Sequence, residues 1–188
     1  MTDWTVLPAG LPAPVDDGAA DHLPGTTVPA VTLPATDGSS VRLDRLPEGR
    51  TVLYLYPATA RPGVPQPDGW DAIPGARGCT PEACAFRDHH HDLLDAGAVA
   101  VHGVSTQPTD EQAEAVARLH LPFALLSDAD GALADALTLP TFEVGGRRLL
   151  RRVTLVVRDG VVEHVFHPVF PPDAHAGQVV AWLRAAGA

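Results

Sequence analysis

The sequence predicts an α/β domain in which helices cover both faces of a central mixed β-sheet. Strand-like and helix-like patterns alternate through the middle of the chain, as they do where helices join parallel strands. Two strand-like runs around 158–160 (RDG) predict an antiparallel hairpin near the end. The run 51–56 (TVLYLY) is apolar at successive positions, as a strand buried on both faces requires.

The elements follow one another in the order β-β-β-loop-α-β-α-β-α-β-β-α. The first hairpin is indicated by the turn residues 36–39 (TDGS) between two apolar runs. The predicted strands cover 30–33, 41–43, 51–56, 98–104, 123–126, 151–157 and 161–166. The predicted helices cover 80–94, 109–120, 131–137 and 173–185. Thr80 suits the N-cap of the first helix, and Pro81 suits its first helical position.

A chain of 188 residues is one ordinary domain with a short extension. Residues 1–24 have no periodicity and four interrupting prolines, so we expect an extended arm that lies on the domain or is mobile, with Trp4 as a possible anchor. The compact domain is expected over 25–188. Within it, 57–78 forms a loop with five prolines and four glycines, a length that is often functional.

The composition excludes several classes of function. The net charge is −10, and an acidic surface without basic clusters argues against binding to nucleic acid or to anionic membranes. All 13 basic residues are arginine, so a mechanism through a lysine Schiff base is excluded. No apolar run is long enough to span a bilayer, and the first residues do not have the pattern of a secretory signal. Two cysteines without an export signal favour a reducing cytosol, so we expect a cytoplasmic protein.

Cys79 lies where the long loop meets the start of a helix. Unpaired backbone N–H groups and the positive end of the helix dipole favour a thiolate there, and Arg77 is two residues away. We therefore expect the pKa of this thiol to be lowered. The residue types at this position point to nucleophilic or redox chemistry.

Cys84 follows five residues later, on a different face of the same predicted helix. In a regular helix the two Cα atoms would be about 8.6 Å apart, beyond the reach of a disulfide. A bridge between Cys79 and Cys84 would therefore require the first helical turns to unwind. The alternative interpretation is that Cys84 is a small buried apolar residue, because its neighbours are alanine and phenylalanine.

The histidines of 89–91 (HHH) do not predict a metal site. Consecutive helical residues point about 100° apart, so these side chains cannot converge on one ion. A solvated helix face is the better interpretation, and neither a metal nor another cofactor is expected.

Three segments carry a family resemblance. Residues 78–88 (GCTPEACAFRD) closely resemble the active-site segment of Q-type peroxiredoxins, the bacterioferritin-comigratory-protein group. Residues 54–57 (YLYP) are similar to the strand and proline that precede that segment. Residues 152–157 (RVTLVV), followed by 159–160 (DG), are similar to a later strand and its arginine. The matches fall in the family's order and extend over nearly all of 25–188.

The resemblance implies a thioredoxin fold with peroxiredoxin-type insertions. Cys79 would be the peroxidatic cysteine, which attacks a hydroperoxide, and Cys84 the resolving cysteine. Arg152 would hold the peroxide and the thiolate, with Glu82 and Arg87 in the supporting network. The substrates would be hydrogen peroxide and organic hydroperoxides, the reductant a thioredoxin-like protein, and the enzyme a monomer or weak dimer.

One departure from the family pattern concerns the hydroxyl that orients the peroxide. The family usually has Thr or Ser three residues before the peroxidatic cysteine, where this chain has Ala76. Residues 62–76 look like an insertion that separates Pro57 and Thr59 from the cysteine. Either Thr59 folds back to the site, or Thr80 replaces the missing hydroxyl, or no hydroxyl is used and the reaction is slower.

The insertion is itself a candidate lid. It carries Trp70 and Ile73, two bulky apolar side chains in a segment otherwise rich in proline and glycine. A lid over the cysteine would narrow the range of hydroperoxides that the site admits.

Two other functions remain open from the sequence. A thiol–disulfide oxidoreductase acting on proteins would also use two cysteines, although their spacing is not C-x-x-C. A non-enzymatic thioredoxin-fold module that senses redox state or binds a metal is favoured by the missing hydroxyl at Ala76. An unreactive Cys79 would support that second alternative.

Overall fold

A computed structural model describes residues 6–187 of the chain. Its strands are β1 Thr32–Pro34, β2 Ser40–Arg42, β3 Arg50–Leu55, β4 Ala98–Ser105, β5 Leu125–Ser127, β6 Thr141–Val144, β7 Arg147–Leu150, β8 Val153–Arg158 and β9 Val161–Phe166. Its α-helices are α1 Cys79–Asp88, α2 His90–Asp95, α3 Thr109–Leu119, α4 Ala132–Ala136 and α5 His175–Ala186. Short 3₁₀ turns cover Leu43–Arg45, Trp70–Ala72 and Pro172–Ala174.

The central sheet has five strands in the order β5-β4-β3-β8-β9. β3 and β4 are parallel, as are β4 and β5, whereas β8 is antiparallel to both β3 and β9. This mixed sheet with helices against it confirms the predicted α/β class. β3 lies at its centre and pairs residue by residue with β8, so the chain after β3 and the chain before β8 meet at the same edge.

Alternate side chains of β3 enter two separate hydrophobic cores. Leu53 and Leu55 belong to the core that also contains residues of β1 and α4. Tyr54 belongs to the core that contains residues of α1, α3 and α5. There its ring stacks on Phe86 of α1 with a centroid distance of 4.2 Å and an interplanar angle of 8°. The run of apolar residues thus serves both faces of the sheet, as predicted, and fixes α1 against one of them.

The hairpin formed by β6 and β7 was missing from the predicted order. Its strands are partly exposed and carry Arg147 and Arg148, so they lack the continuous apolar run of a central strand. The turn is Gly145–Gly146, both with positive φ, which is a known hairpin signal. The predicted order was therefore wrong for this segment, because short strands that mix charged and apolar residues lack the apolar run of a central strand.

The predicted helix 80–94 is two helices that meet at His89, whose backbone is not helical. Thr80 is not its N-cap, and Pro81 is its third residue, because the helix already begins at Cys79. The N-cap is Gly78 with φ +110°, and a Cβ there would lie 2.4 Å from Cγ of Pro172. Only glycine fits both the left-handed conformation and this close approach.

The described part of the expected arm, 6–24, lies on the domain. A Cβ on Gly78 would lie 2.8 Å from Cδ2 of Leu7, so the arm passes beside the start of α1. Asp17 forms an ion pair of 2.7 Å with Arg151, and Leu23 is fully buried in the core. Trp4, the expected anchor, lies outside the described residues, and the domain boundary after residue 24 stays a prediction.

None of the described helices is both long and apolar enough to cross a membrane.

Candidate active site

Cys79 is the first residue of α1, and its side chain points into a buried position beside β8. The long loop after β3 delivers it there, and only 3% of the residue is exposed. Its Sγ lies 3.3 Å from Nη2 of Arg152, which immediately precedes β8. The carbonyl oxygen of Ala76 is 3.6 Å from the same sulfur and can accept its S–H. Two of the predicted site residues therefore meet, because β3 and β8 are paired.

The guanidinium of Arg152 connects α1, β8 and the loop before Cys79. Its Nη1 donates to a carboxylate oxygen of Glu82, and both side chains are buried. Its Nη2 also lies 3.3 Å from the carbonyl oxygen of Gly75 and 3.4 Å from that of Arg77. A buried guanidinium with this many partners has a fixed position, so it can stabilise negative charge on the sulfur without moving.

The expected lowering of the Cys79 pKa is not what the structure supports. Burial raises the pKa of the Cys79 thiol, and the carboxylate of Glu82 raises it further, while Arg152 and a backbone hydrogen bond from Ala58 lower it. The prediction considered the helix start but not the loss of water around the sulfur. Burial also raises the pKa of Glu82 to about 7, so this carboxyl can hold a proton near neutral pH.

Cys84 lies in α1 as well, half-buried, and both cysteines are free thiols. Burial raises the pKa of the Cys84 thiol, and Arg87 opposes this. Arg87 donates to Asp88 at 2.8 Å and to the carbonyl oxygen of Leu119 at 2.9 Å. The structure therefore places Arg87 beside Cys84 and not beside Cys79.

The two candidate hydroxyls have different surroundings. Thr59 is buried and held by Gln107, whose Oε1 accepts from its backbone N–H at 2.8 Å and from its hydroxyl at 3.1 Å. Pro57 is buried two residues after the end of β3. Thr80 is buried too, but its hydroxyl has no hydrogen-bond partner. It lines the small opening over Cys79, and Thr59 does not.

This opening has room for about 10 Å³, close to the space of one water molecule. The residues that line it are Ala58, Ala60, Gln66, Trp70, Arg77, Gly78, Cys79, Thr80 and Pro81. Gln66 was not singled out from the sequence, because a lone polar residue in a proline-rich loop carries no signal. A larger cleft of about 200 Å³ shares Ala58 and Gln66 as walls, so the insertion forms a boundary between the two spaces.

The apolar side chains of the insertion are anchored on the unpredicted hairpin. Trp70 is buried in a small cluster with Leu149 of β7, and Ile73 packs against that cluster. The Trp70 ring also lies 6.2 Å from the ring of Phe142 of β6. The insertion is therefore held in a defined place against the β6–β7 hairpin.

The three consecutive histidines do not gather at one point. His89 contacts Asp92 through Nδ1 at 2.9 Å, and His90 packs against the ring of Phe123. In the part of the chain that the structure describes, three potential metal-ligand atoms come together only elsewhere, at Asp16, Asp17 and His167. Asp17 in that group is engaged by Arg151.

A mixed sheet that brings a buried cysteine and an arginine together at a helix start defines a thiol protein of the thioredoxin-fold class. The chain belongs to the Redoxin family, whose model matches residues 23–180. The Redoxin match and the similar proteins described next confirm the α/β fold and the resemblance to Q-type peroxiredoxins.

Similar proteins come from bacteria and plants. The crystal structure of peroxidoxin BcpB from Mycobacterium tuberculosis is 33% identical, with a TM-score of 0.70, and the match covers 87% of this chain and 98% of that one. Chloroplastic peroxiredoxin Q of Triticum aestivum is 30% identical over 160 residues, which is 85% of this chain but 66% of the wheat protein. A Xylella fastidiosa PrxQ mutant, 20% identical with a TM-score of 0.70, shares the fold over 89% of this chain and 99% of that one.

Proposed function

We propose that the protein is a thiol peroxidase that reduces hydrogen peroxide and organic hydroperoxides. The observation that supports this most directly is the 3.3 Å approach of the Arg152 guanidinium to the Cys79 sulfur in a buried site. A cation held at this position stabilises the thiolate and then the negative charge on the departing oxygen. Family membership supports the same activity.

Cys79 attacks the hydroperoxide and becomes a sulfenic acid, while the other oxygen leaves as water or an alcohol. Cys84 then attacks the sulfenic sulfur, and a disulfide forms with release of water. Because both cysteines lie in α1, the first turns of this helix must unwind before the two sulfurs can meet. The buried position of Cys79 and the half-buried position of Cys84 fit a thiol form that is folded and a disulfide form that is locally unwound.

Glu82 acts in this scheme as the partner that holds Arg152, and its raised pKa of about 7 lets it hold a proton up to about neutral pH. Arg87 lies beside the resolving thiol and favours its ionised form. The reductant is a dithiol protein of the thioredoxin type, which restores both thiols by exchange. We place the enzyme in the cytoplasm as a monomer or weak dimer.

The test is a single turnover with hydrogen peroxide followed by mass spectrometry of the cysteine peptides. We expect the wild-type chain to lose two hydrogens as a Cys79–Cys84 disulfide forms. Cys84→Ser should gain one oxygen atom on Cys79, and Cys79→Ser should not react. A wild-type chain that exchanges with protein disulfides but does not consume peroxide would favour the thiol–disulfide oxidoreductase instead.

A further inference from the structure

We propose that the hydroxyl of Thr80 binds the hydroperoxide group beside Cys79, in the role that a side chain at position 76 cannot fill. This inference rests on the proposed peroxidase function and assigns a further catalytic residue to it. Ala76 is fully buried and offers no polar side-chain atom. A substrate at the sulfur therefore needs another hydrogen-bond partner to fix the direction of its O–O bond.

Thr80 lies at the right place because it follows Cys79 as the second residue of α1. Among the described residues that line the opening over the sulfur, it is the one that carries a hydroxyl. The opening is water-sized, so a hydroperoxide group that enters it is forced into contact with its walls. Helix α1 fixes the position of Thr80 relative to the reacting sulfur.

The hydroxyl of Thr80 is also in an unusual state. The residue is 2% exposed, and Oγ1 is buried with no hydrogen-bond partner. A buried hydroxyl without a partner lowers the stability of the fold, and most buried polar groups in native proteins are paired. Thr59, the competing candidate, already donates to Gln107. A bound hydroperoxide would therefore supply the hydrogen-bond partner that the Thr80 hydroxyl lacks.

In the reaction, Oγ1 of Thr80 accepts a hydrogen bond from the O–H of the hydroperoxide. The Cys79 thiolate forms a bond to that terminal oxygen, and the O–O bond breaks with its electron pair on the other oxygen. The departing alkoxide or hydroxide, stabilised by Arg152, takes a proton from water. The terminal oxygen keeps its hydrogen, so sulfur is oxidised to sulfenic acid by two electrons and the peroxide is reduced by two.

The experiment compares Thr80→Val, which keeps the shape of the side chain, with Thr80→Ser, which keeps the hydroxyl. Thr51→Val is the matched control, because the hydroxyl of Thr51 is also buried without a partner but lies in β3 away from the opening. Stopped-flow mixing measures the rate constant for Cys79 oxidation by hydrogen peroxide. Alkylation by iodoacetamide across pH measures the ionisation of the same sulfur without needing a peroxide contact. Thermal unfolding reports on packing.

We expect Thr80→Val to lower the peroxide rate constant about ten- to a hundredfold, the scale of one hydrogen bond at a reacting group. Its alkylation rate should stay within about twofold, and its unfolding temperature should not fall, because an unpaired buried hydroxyl has been removed. Thr80→Ser should keep most of the peroxide rate, and Thr51→Val should match the wild type.

An unchanged peroxide rate in Thr80→Val would overturn the role of Thr80. Equal losses in the peroxide and alkylation rates would also overturn it, since the residue would then act through the ionisation of Cys79. An equal fall in the peroxide rate constant of Thr80→Ser, which keeps the hydroxyl, would overturn it as well. A wild-type chain whose Cys79 is alkylated but not oxidised by peroxide would instead refute the proposed peroxidase function itself.

Discussion

Replacing Arg152 with methionine tests how much the guanidinium contributes to the reactivity of Cys79. At the observed separation of 3.3 Å, a full opposite charge is worth about 5 kcal/mol at an effective dielectric constant of roughly 20. Glu82 shares the same guanidinium and cancels part of this attraction. If about 2 kcal/mol remains, the thiolate population at neutral pH falls about thirtyfold when Arg152 is removed.

The assay is the rate of iodoacetamide alkylation of Cys79 between pH 6 and 10, read by mass spectrometry. We expect the Arg152→Met profile to move to higher pH, because the direct effect of Arg152 is to lower the pKa of Cys79. The rate constant for peroxide oxidation should fall more than the rate constant for alkylation, since Arg152 also stabilises the departing oxygen. Arg151→Met is the matched control, because Arg151 pairs with Asp17 and not with the sulfur. Coincident profiles for the two variants would refute the electrostatic role of Arg152.

Three further predictions concern neighbouring groups. Glu82→Gln removes a charge that raises the pKa of Cys79, so alkylation of Cys79 should become several-fold faster. The gain should be larger at pH 8 than at pH 6, because the pKa of Glu82 is about 7 and its carboxylate is charged mainly above that pH. Equal gains at both pH values would contradict this. Burial lowers the pKa of His175 from 6.5 to about 4. The free energy of unfolding should therefore fall by about 3 kcal/mol as the pH falls from 6.5 to 4. Urea unfolding of a His175→Gln chain should not show this dependence on pH. Gly78→Ala should lower the unfolding free energy by more than about 2 kcal/mol, since its Cβ would overlap Pro172 at a positive φ, and an unchanged unfolding midpoint would show that the helix start can move.

The central part of the fold was predictable because its signals are local. The apolar run of β3 and the alternation of strands and helices after the long loop determine both the α/β class and the neighbourhood of Cys79. The β6–β7 hairpin was missed because its short strands mix charged with apolar side chains and pair outside the main sheet. The break at His89 was missed because a change of backbone direction inside a helix-forming segment leaves no residue-type signal such as proline.

The candidate site was predictable to the extent that chain order determines it. The resemblance implied that Arg152 would hold the Cys79 thiolate, and the two side chains meet because β3 and β8 are neighbours. The pKa of Cys79 was predicted in the wrong direction because sequence position indicates the helix start but not how deeply the sulfur is buried. The choice between Thr59 and Thr80 depends on which hydroxyl Gln107 engages, and that partner is 48 residues away from Thr59 in the chain.

The ring stack between Phe86 and Tyr54 limits how far α1 can open. Phe86 comes two residues after Cys84 and is fixed to the central strand, so the melted part of the oxidised helix should end near the second sulfur. A reductant would then meet one short exposed segment with a disulfide on an otherwise intact domain. Recycling would leave the rest of the molecule folded, and each turnover would require the refolding of only about two helical turns.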